Sequence, residues 1–131
     1  MTLPPAFKSG RIGRGAAYAA DRAGSKHTKI IRISAFLLAP LGVLALWFIA
    51  GAVGKSYEGV RAELGRPFPA FVLIAFIIAA MYHARLGADN IIEDYVHDEA
   101  LKAKAMTANK WFALAIGLLW SLSVLAIAAS A

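Results

Sequence analysis

The sequence has 131 residues, of which 60% are hydrophobic, and this composition indicates one small membrane-embedded domain rather than a soluble protein. It contains no cysteine, which excludes disulfides, iron–sulfur ligation and thiolate zinc sites within the chain. The net charge of +6 does not indicate nucleic-acid binding, because half of the lysines and arginines precede the first apolar segment, where membrane topology explains them.

Residues 1–28 are rich in glycine, alanine, arginine and serine and show no sustained hydrophobic periodicity. We predict a basic N-terminal segment on the cytoplasmic side of the membrane that is mobile or peripheral. Its basic, acid-poor composition would also suit a transit peptide. A glycine-rich patch lies at Gly10, Gly13 and Gly15, but no strand precedes it, so a phosphate-binding loop is not expected.

Residues 29–131 are predicted to form an anchor domain of three transmembrane helices. The first helix spans about 33–54, which is long enough to cross the hydrocarbon, and Pro40 is expected to bend it. Residues 55–67 are predicted to be a short polar loop, with Pro67 suited to the entry of the second helix.

The second helix begins near Phe68, and its purely apolar part is too short to cross the membrane alone. The helix must therefore continue past His83, and we predict that it spans about 68–95 and extends beyond the hydrocarbon. Arg85 points nearly opposite His83 and is expected to reach the headgroups or to pair with Asp89, one turn on.

One face of this second helix is polar. His83 and Asp94 are eleven residues apart, so they lie within about 20° of each other around the axis, and Gly87 and Asn90 fall on the same face. Such a face is unfavourable in contact with lipid tails. We expect it to face a protein interior or a cofactor.

A break is expected near His97, followed by a third helix over about 99–130 with Asp98 as its N-cap. Trp111 suits the aromatic belt at the membrane interface. Eleven of the fourteen lysines and arginines lie in residues 1–32 or 85–110, and three lie in the loop between the first and second apolar segments. The positive-inside rule therefore predicts a cytoplasmic N-terminus and a C-terminus outside.

The spacing of His83, Gly87, Asp94 and Tyr95 resembles that of the small hydrophobic membrane-anchor subunits of succinate dehydrogenase, the D-type cytochrome b subunits of respiratory complex II. The family pattern is a haem-ligating His, a Gly four residues later, and an Asp-Tyr pair that begins eleven residues after the His. The run around the Asp-Tyr pair resembles the alphaproteobacterial and mitochondrial branch. The resemblance covers about residues 24–131.

The resemblance implies that His83 is an axial ligand to the iron of haem b, with the second histidine supplied by another anchor subunit. A neutral imidazole is a suitable iron ligand, and Gly87 leaves room for a flat macrocycle. Arg32 is implied to lie near the haem propionates, where a guanidinium can bind bidentately, and Ser34 replaces the usual threonine. The alternatives are a histidine that bonds across a helix bundle or faces a water pocket, and an arginine that is only a positive-inside anchor.

The resemblance also places Tyr95 and Asp94 in a ubiquinone-binding pocket. A phenol can hydrogen-bond a quinone carbonyl and carry a proton, and an adjacent carboxylate can orient that phenol. The alternative is a tyrosine that anchors the helix at the interface beside a helix-end aspartate.

The implied function is that of a membrane-anchor subunit of succinate:quinone oxidoreductase, with no complete active site of its own, in the bacterial inner membrane rather than the mitochondrial one. The implied partners are a second cytochrome b anchor subunit, an iron–sulfur subunit, a flavoprotein subunit and membrane lipid. Two rivals remain: a haem-free structural anchor of the same or a related complex, and an unrelated three-span transporter or scaffold subunit.

Overall fold

The computed structural model describes the backbone of residues 12–131 and the side chains of residues 28–131. It contains four helices: α1 (Ile12–Ala52), α2 (Tyr57–Leu64), α3 (Pro67–Tyr95) and α4 (Glu99–Ser130). All regular secondary structure in this described part is helical, which confirms the predicted all-α class. Predictions for residues 1–11, including Gly10 of the glycine patch, lie outside the described residues.

The chain forms two compact units that meet between Ile33 and Ser34. The first unit contains the N-terminal part of α1, which begins well before the predicted first membrane span. The second unit contains the rest of α1 together with α2, α3 and α4. The predicted division between residues 1–28 and 29–131 stays a prediction.

Three helical segments of the described chain are long and apolar enough to cross a membrane: Thr28–Ala52, Pro67–Tyr95 and Glu99–Ser130. They confirm the three predicted transmembrane helices, whereas the orientation of the termini stays a prediction. Few of their residues are buried, and the side chains of Phe36, Trp47 and Phe71 are more than two-thirds exposed. Apolar surface of this extent suits contact with lipid or with partner helices.

Helix α3 is continuous over 29 residues. It begins with Pro67 at its first position, where the missing N–H has no intrahelical partner in any case. The helix then passes His83 without a break and ends at Tyr95, as predicted. At this end the Val96 N–H donates to the Ile92 carbonyl oxygen at 2.9 Å.

Helix α4 begins with the predicted cap. The Asp98 carboxylate accepts a hydrogen bond from the Leu101 backbone N–H at 2.7 Å, which satisfies one free donor of the first turn. Glu99 adds a negative charge at the positive end of the helix dipole. Only residues 96–98 separate α3 from α4.

The predicted loop over residues 55–67 is wrong in part, because helix α2 occupies Tyr57–Leu64. Ser56 caps this helix by accepting a hydrogen bond from the Gly59 N–H at 3.2 Å. Glu58 in the first turn also favours a helix start. The segment has a mixed polar and apolar composition, which led to the loop prediction. The cap and the first-turn charge stabilise a short helix there instead.

Helix α2 makes polar contacts at both ends. Lys55 Nζ and Arg66 Nη2 lie 3.0 and 2.7 Å from the Glu63 carboxylate. The hydrogen bond from Lys55 is the main cause that lowers the pKa of Glu63. Arg61 donates to the carbonyl oxygen of Ser130 at the end of α4, where a positive charge complements the helix dipole.

Helix α3 packs on α1 with one face and on α4 with the other. A Cβ added at Gly42 of α1 would lie 3.4 Å from the Phe76 ring, and one added at Gly117 of α4 would lie 3.6 Å from the Met81 side chain. A methyl group at either position would make an ordinary van der Waals contact, so both glycines face a packed side chain of α3.

Candidate functional site

His83 lies on the face of α3 that packs against α1. Its Nδ1 is 2.8 Å from the Oγ of Ser34, a serine that is only 6% exposed. When Nδ1 carries the proton and donates to Ser34, Nε2 presents a free lone pair. Among the described residues Nε2 has no hydrogen-bond partner, so it is available to a metal or to another donor.

A metal at His83 would need ligands from elsewhere. Within residues 28–131, no group of three or more His, Asp or Glu side chains lies close enough together to hold a metal ion. Any metal bound by this imidazole would therefore take its other ligands from outside this part of the chain.

The surface beside His83 is open at Gly87. A Cβ added to Gly87 would meet no atom within 4 Å. Since α3 is unbroken, Gly87 and Asp94 lie within about 40° of His83 around the helix axis. The structure thus confirms the predicted shared face and leaves space on it for a flat group.

Tyr95 and Asp94 stand at the C-terminal end of α3. Both side chains are exposed, Tyr95 at 78%, and neither has a hydrogen-bond or ion-pair partner among the described residues. Tyr95 is twelve residues beyond His83, which is about 18 Å along the helix. The chain presents these groups to its surroundings, so any pocket around them needs a wall from another molecule.

Arg32 belongs to the first compact unit, and its side chain is exposed. Its predicted place near a cofactor stays a prediction.

A polar cluster joins α3 to α4 near the His83 level. Arg85 Nε lies 3.5 Å from the Asp89 carboxylate, which confirms the predicted pair. Asn109 of α4 donates through Nδ2 to the Arg85 carbonyl oxygen at 3.0 Å and to Asp89 Oδ1 at 2.8 Å. This amide joins α4 to the Arg85–Asp89 pair of α3 and so holds the two helices in register.

We expect Asn109→Ala to lower the stability of the bundle by about 1 kcal/mol, because it leaves acceptors on α3 without their donor. The measurement is the thermal unfolding midpoint of the detergent-solubilised protein. Thr107→Ala is the matched control, since the Thr107 hydroxyl bonds only to Ala103 in its own helix. Equal shifts in the two variants would contradict an interhelical role for Asn109.

The sequence did not predict that Ser34 contacts His83 or that Asn109 contacts Asp89. The signal for the first contact was a lone serine inside an apolar run of α1. A polar side chain in such a run usually finds a partner on a neighbouring helix, but the sequence does not say which one.

Comparison with known proteins identifies a family that matches most of this chain. The profile of the family described as "Succinate dehydrogenase/Fumarate reductase transmembrane subunit" matches residues 17–124, which include the first two apolar segments and most of the third. The chain belongs to this family. The word "transmembrane" in the family's description agrees with the three membrane helices. The matched residues include Ser34, His83, Asp94 and Tyr95.

Curated relatives carry compatible names. A "Succinate dehydrogenase hydrophobic membrane anchor subunit" of Paracoccus denitrificans is 36% identical over 80 residues, 61% of this chain and 62% of that protein. The subunit of the same name from Rickettsia bellii is 30% identical over 93 residues, 71% of this chain and 74% of that protein. A "Succinate dehydrogenase membrane anchor subunit" of Reclinomonas americana is 36% identical over 81 residues, covering 60% and 68%. No solved structure matches this chain significantly.

Proposed function

We propose that this chain is the membrane-anchor subunit of a bacterial succinate:quinone oxidoreductase. The observation that carries the proposal is the unbroken helix α3, which bears His83, Gly87 and Asp94 on one face and ends at Tyr95. Membership of the family and the names of the relatives support the same assignment. The chain lacks cysteine and so has no thiolate ligands for iron–sulfur clusters, and we assign such clusters and succinate oxidation to partner subunits.

His83 and Gly87 are proposed to hold haem b together with a histidine of a second anchor subunit. Two observations support the fit: Nε2 of His83 has no partner among the described residues, and a Cβ at Gly87 would meet open space. Haem iron supplies one-electron redox chemistry. This chain's contribution is to orient the imidazole through the Ser34 contact at Nδ1; in the tautomer in which Nδ1–H donates to the Ser34 hydroxyl, Nε2 is free to bind iron.

Tyr95 and Asp94 are proposed to bind ubiquinone at the membrane surface. Quinone reduction needs two electrons and two protons, and the Tyr95 hydroxyl can donate a hydrogen bond to a quinone carbonyl. The Asp94 carboxylate beside it can orient a donor or hold a cation of a partner subunit. The exposure of both groups supports a pocket that is completed only in the assembled complex.

The proposed partners follow from the surfaces of the chain. The exposed apolar sides of the membrane helices suit lipid and a second anchor subunit. The polar end of α3, with Asp94 and Tyr95, is proposed to face the cytoplasm, where the iron–sulfur and flavoprotein subunits would dock. Arg32 is proposed to lie close to the haem propionates in that assembly.

Affinity purification of the tagged chain from its own membranes tests the proposal. We expect a flavoprotein, an iron–sulfur protein and a second small membrane subunit to co-purify, with succinate:ubiquinone reductase activity and a b-type visible spectrum. Activity without a b-type band would favour a haem-free anchor. Absence of both soluble subunits would contradict the proposal and favour an unrelated scaffold or transporter.

We expect Ser34→Ala to raise the midpoint potential of the b-type band by tens of millivolts. Without an acceptor for the Nδ1–H hydrogen bond, the imidazole is less electron-rich and stabilises the oxidised iron less. A hydrogen bond worth about 1 kcal/mol corresponds to about 40 mV for a one-electron couple. The measurement is a redox titration of the purified complex. Ser34→Thr keeps a hydroxyl and should retain the wild-type potential; an unchanged potential in Ser34→Ala would contradict the role of this contact.

A further inference from the structure

A groove between α3 and α4 is not used by the proposed haem and quinone sites. Its volume is about 310 Å³, and its walls include Ile78 and Met81 of α3 and Leu114 and Leu118 of α4. Two basic residues, Arg85 and Lys110, lie at one end. The groove is therefore apolar along its length and positively charged at its mouth.

The groove lies on the side of α3 that is opposite the His83 face. Both Met81 and Arg85 are two residues from His83, which places them about 160° away around the axis. On α4, Leu114, Gly117 and Ser121 fall within about 40° of Lys110. One face of each helix thus forms the groove, and its occupant does not compete with a group bound at His83.

The length of the groove matches one leaflet of a bilayer. Lys110 and Ser121 are eleven residues apart on α4, which corresponds to about 16 Å, and half of a hydrocarbon core is about 15 Å. Lys110 directly precedes Trp111, a residue typical of the membrane interface. The basic mouth therefore lies at headgroup depth and the apolar part at acyl-chain depth.

The charges at the mouth favour an anion. Arg85 has Asp89 3.5 Å away, whereas the ammonium group of Lys110 has no hydrogen-bond or ion-pair partner among the described side chains. Two cations thus face one acid, and the mouth keeps a net positive charge. A phosphate group with an attached hydrocarbon chain complements both the charge and the shape of this groove.

We propose that the groove binds an anionic phospholipid, with its phosphate at Lys110 and Arg85 and one acyl chain along Met81, Leu114 and Leu118. This site is independent of the haem and quinone assignments and requires only that α3 and α4 cross a membrane. Bound lipid would cover the seam between the two helices beside the Asn109 cluster.

The test is lipid retention by the purified complex in nanodiscs of mixed phosphatidylglycerol and phosphatidylcholine, measured by native mass spectrometry. We expect the wild type to retain phosphatidylglycerol preferentially and Lys110→Gln to retain about five-fold less, the effect of one lysine at an anionic headgroup. Lys104→Gln, which removes an exposed lysine elsewhere on α4, should retain the wild-type amount. Equal retention by the two variants, or no preference between the lipids, would overturn the proposal.

Two further variants distinguish other occupants. Leu118→Trp should fill the groove and reduce retention with the basic mouth intact. Ser121 has a buried hydroxyl without a hydrogen-bond partner among the described residues, and a hydrocarbon chain has nothing to bond to it. Ser121→Ala should therefore leave retention unchanged; a loss as large as in Lys110→Gln would indicate an occupant with a polar group at its deep end, such as a quinone or a partner helix, and would refute the lipid assignment.

Discussion

Replacing His83 with alanine is expected to abolish the b-type absorption band of the purified complex while the subunits still assemble. The substitution removes the only imidazole among the described residues that has both an interhelical contact and an open neighbouring surface. If His83 holds the iron of haem b, the substitution would remove a nitrogen ligand and with it the b-type spectrum. The measurement is the dithionite-reduced minus oxidised difference spectrum at matched protein concentration.

Two controls separate ligation from a general packing defect. His97→Ala removes an exposed imidazole in the segment between α3 and α4 and should leave the band unchanged. Ser34→Ala loses the same interhelical hydrogen bond as His83→Ala but keeps the ligand, so its band should persist with a shifted potential. A full b-type band in His83→Ala would remove this residue from the haem site.

Replacing Tyr95 with phenylalanine is expected to lower succinate:ubiquinone reductase activity by about a hundredfold, the lower end of what one positioned proton donor contributes. The change deletes a single hydroxyl from a side chain that is 78% exposed and has no hydrogen-bond partner among the described residues, so we expect the fold to be unchanged. Succinate oxidation with a soluble artificial acceptor should stay at the wild-type rate, because those electrons leave before the quinone step.

Tyr57→Phe is the matched control for this prediction. Tyr57 is equally exposed, at 76%, but lies on α2 at the opposite end of the bundle from Tyr95. Its loss should affect neither assay. An unchanged quinone reductase rate in Tyr95→Phe would refute a proton-donating role for the phenol, and an equal fall in both assays would point to an assembly defect instead.

Local rules predicted the membrane helices well. The continuation of α3 to Tyr95 followed from length, because the apolar part alone could not cross the bilayer. The Asp98 cap and the Arg85–Asp89 pair followed from contacts within a few residues along the chain. Each of these features is decided by neighbouring residues, which a single sequence displays directly.

The features that the sequence did not predict depend on how helices meet. The hydrogen bond between Ser34 and His83 joins residues 49 positions apart, and only the packing of α1 on α3 brings them together. Helix α2 was not predicted for a different reason. Ser56 is a recognisable N-cap residue, but the eight residues that follow it are too few and too mixed in polarity to show a helical pattern. The environment of Tyr95 depends on partner molecules, so neither the sequence nor the chain by itself defines its pocket.

The short connection between α3 and α4 has a consequence for how the protein enters its membrane. Tyr95 and Glu99 are joined by four Cα–Cα steps, which reach about 14 Å when fully extended, whereas the axes of two packed helices lie about 8–10 Å apart. Deleting one residue would shorten this reach to about 10 Å and leave almost no slack. The two segments should therefore insert during synthesis as a single hairpin, and a one-residue deletion in the connection should impair insertion more than the same deletion between α1 and α2.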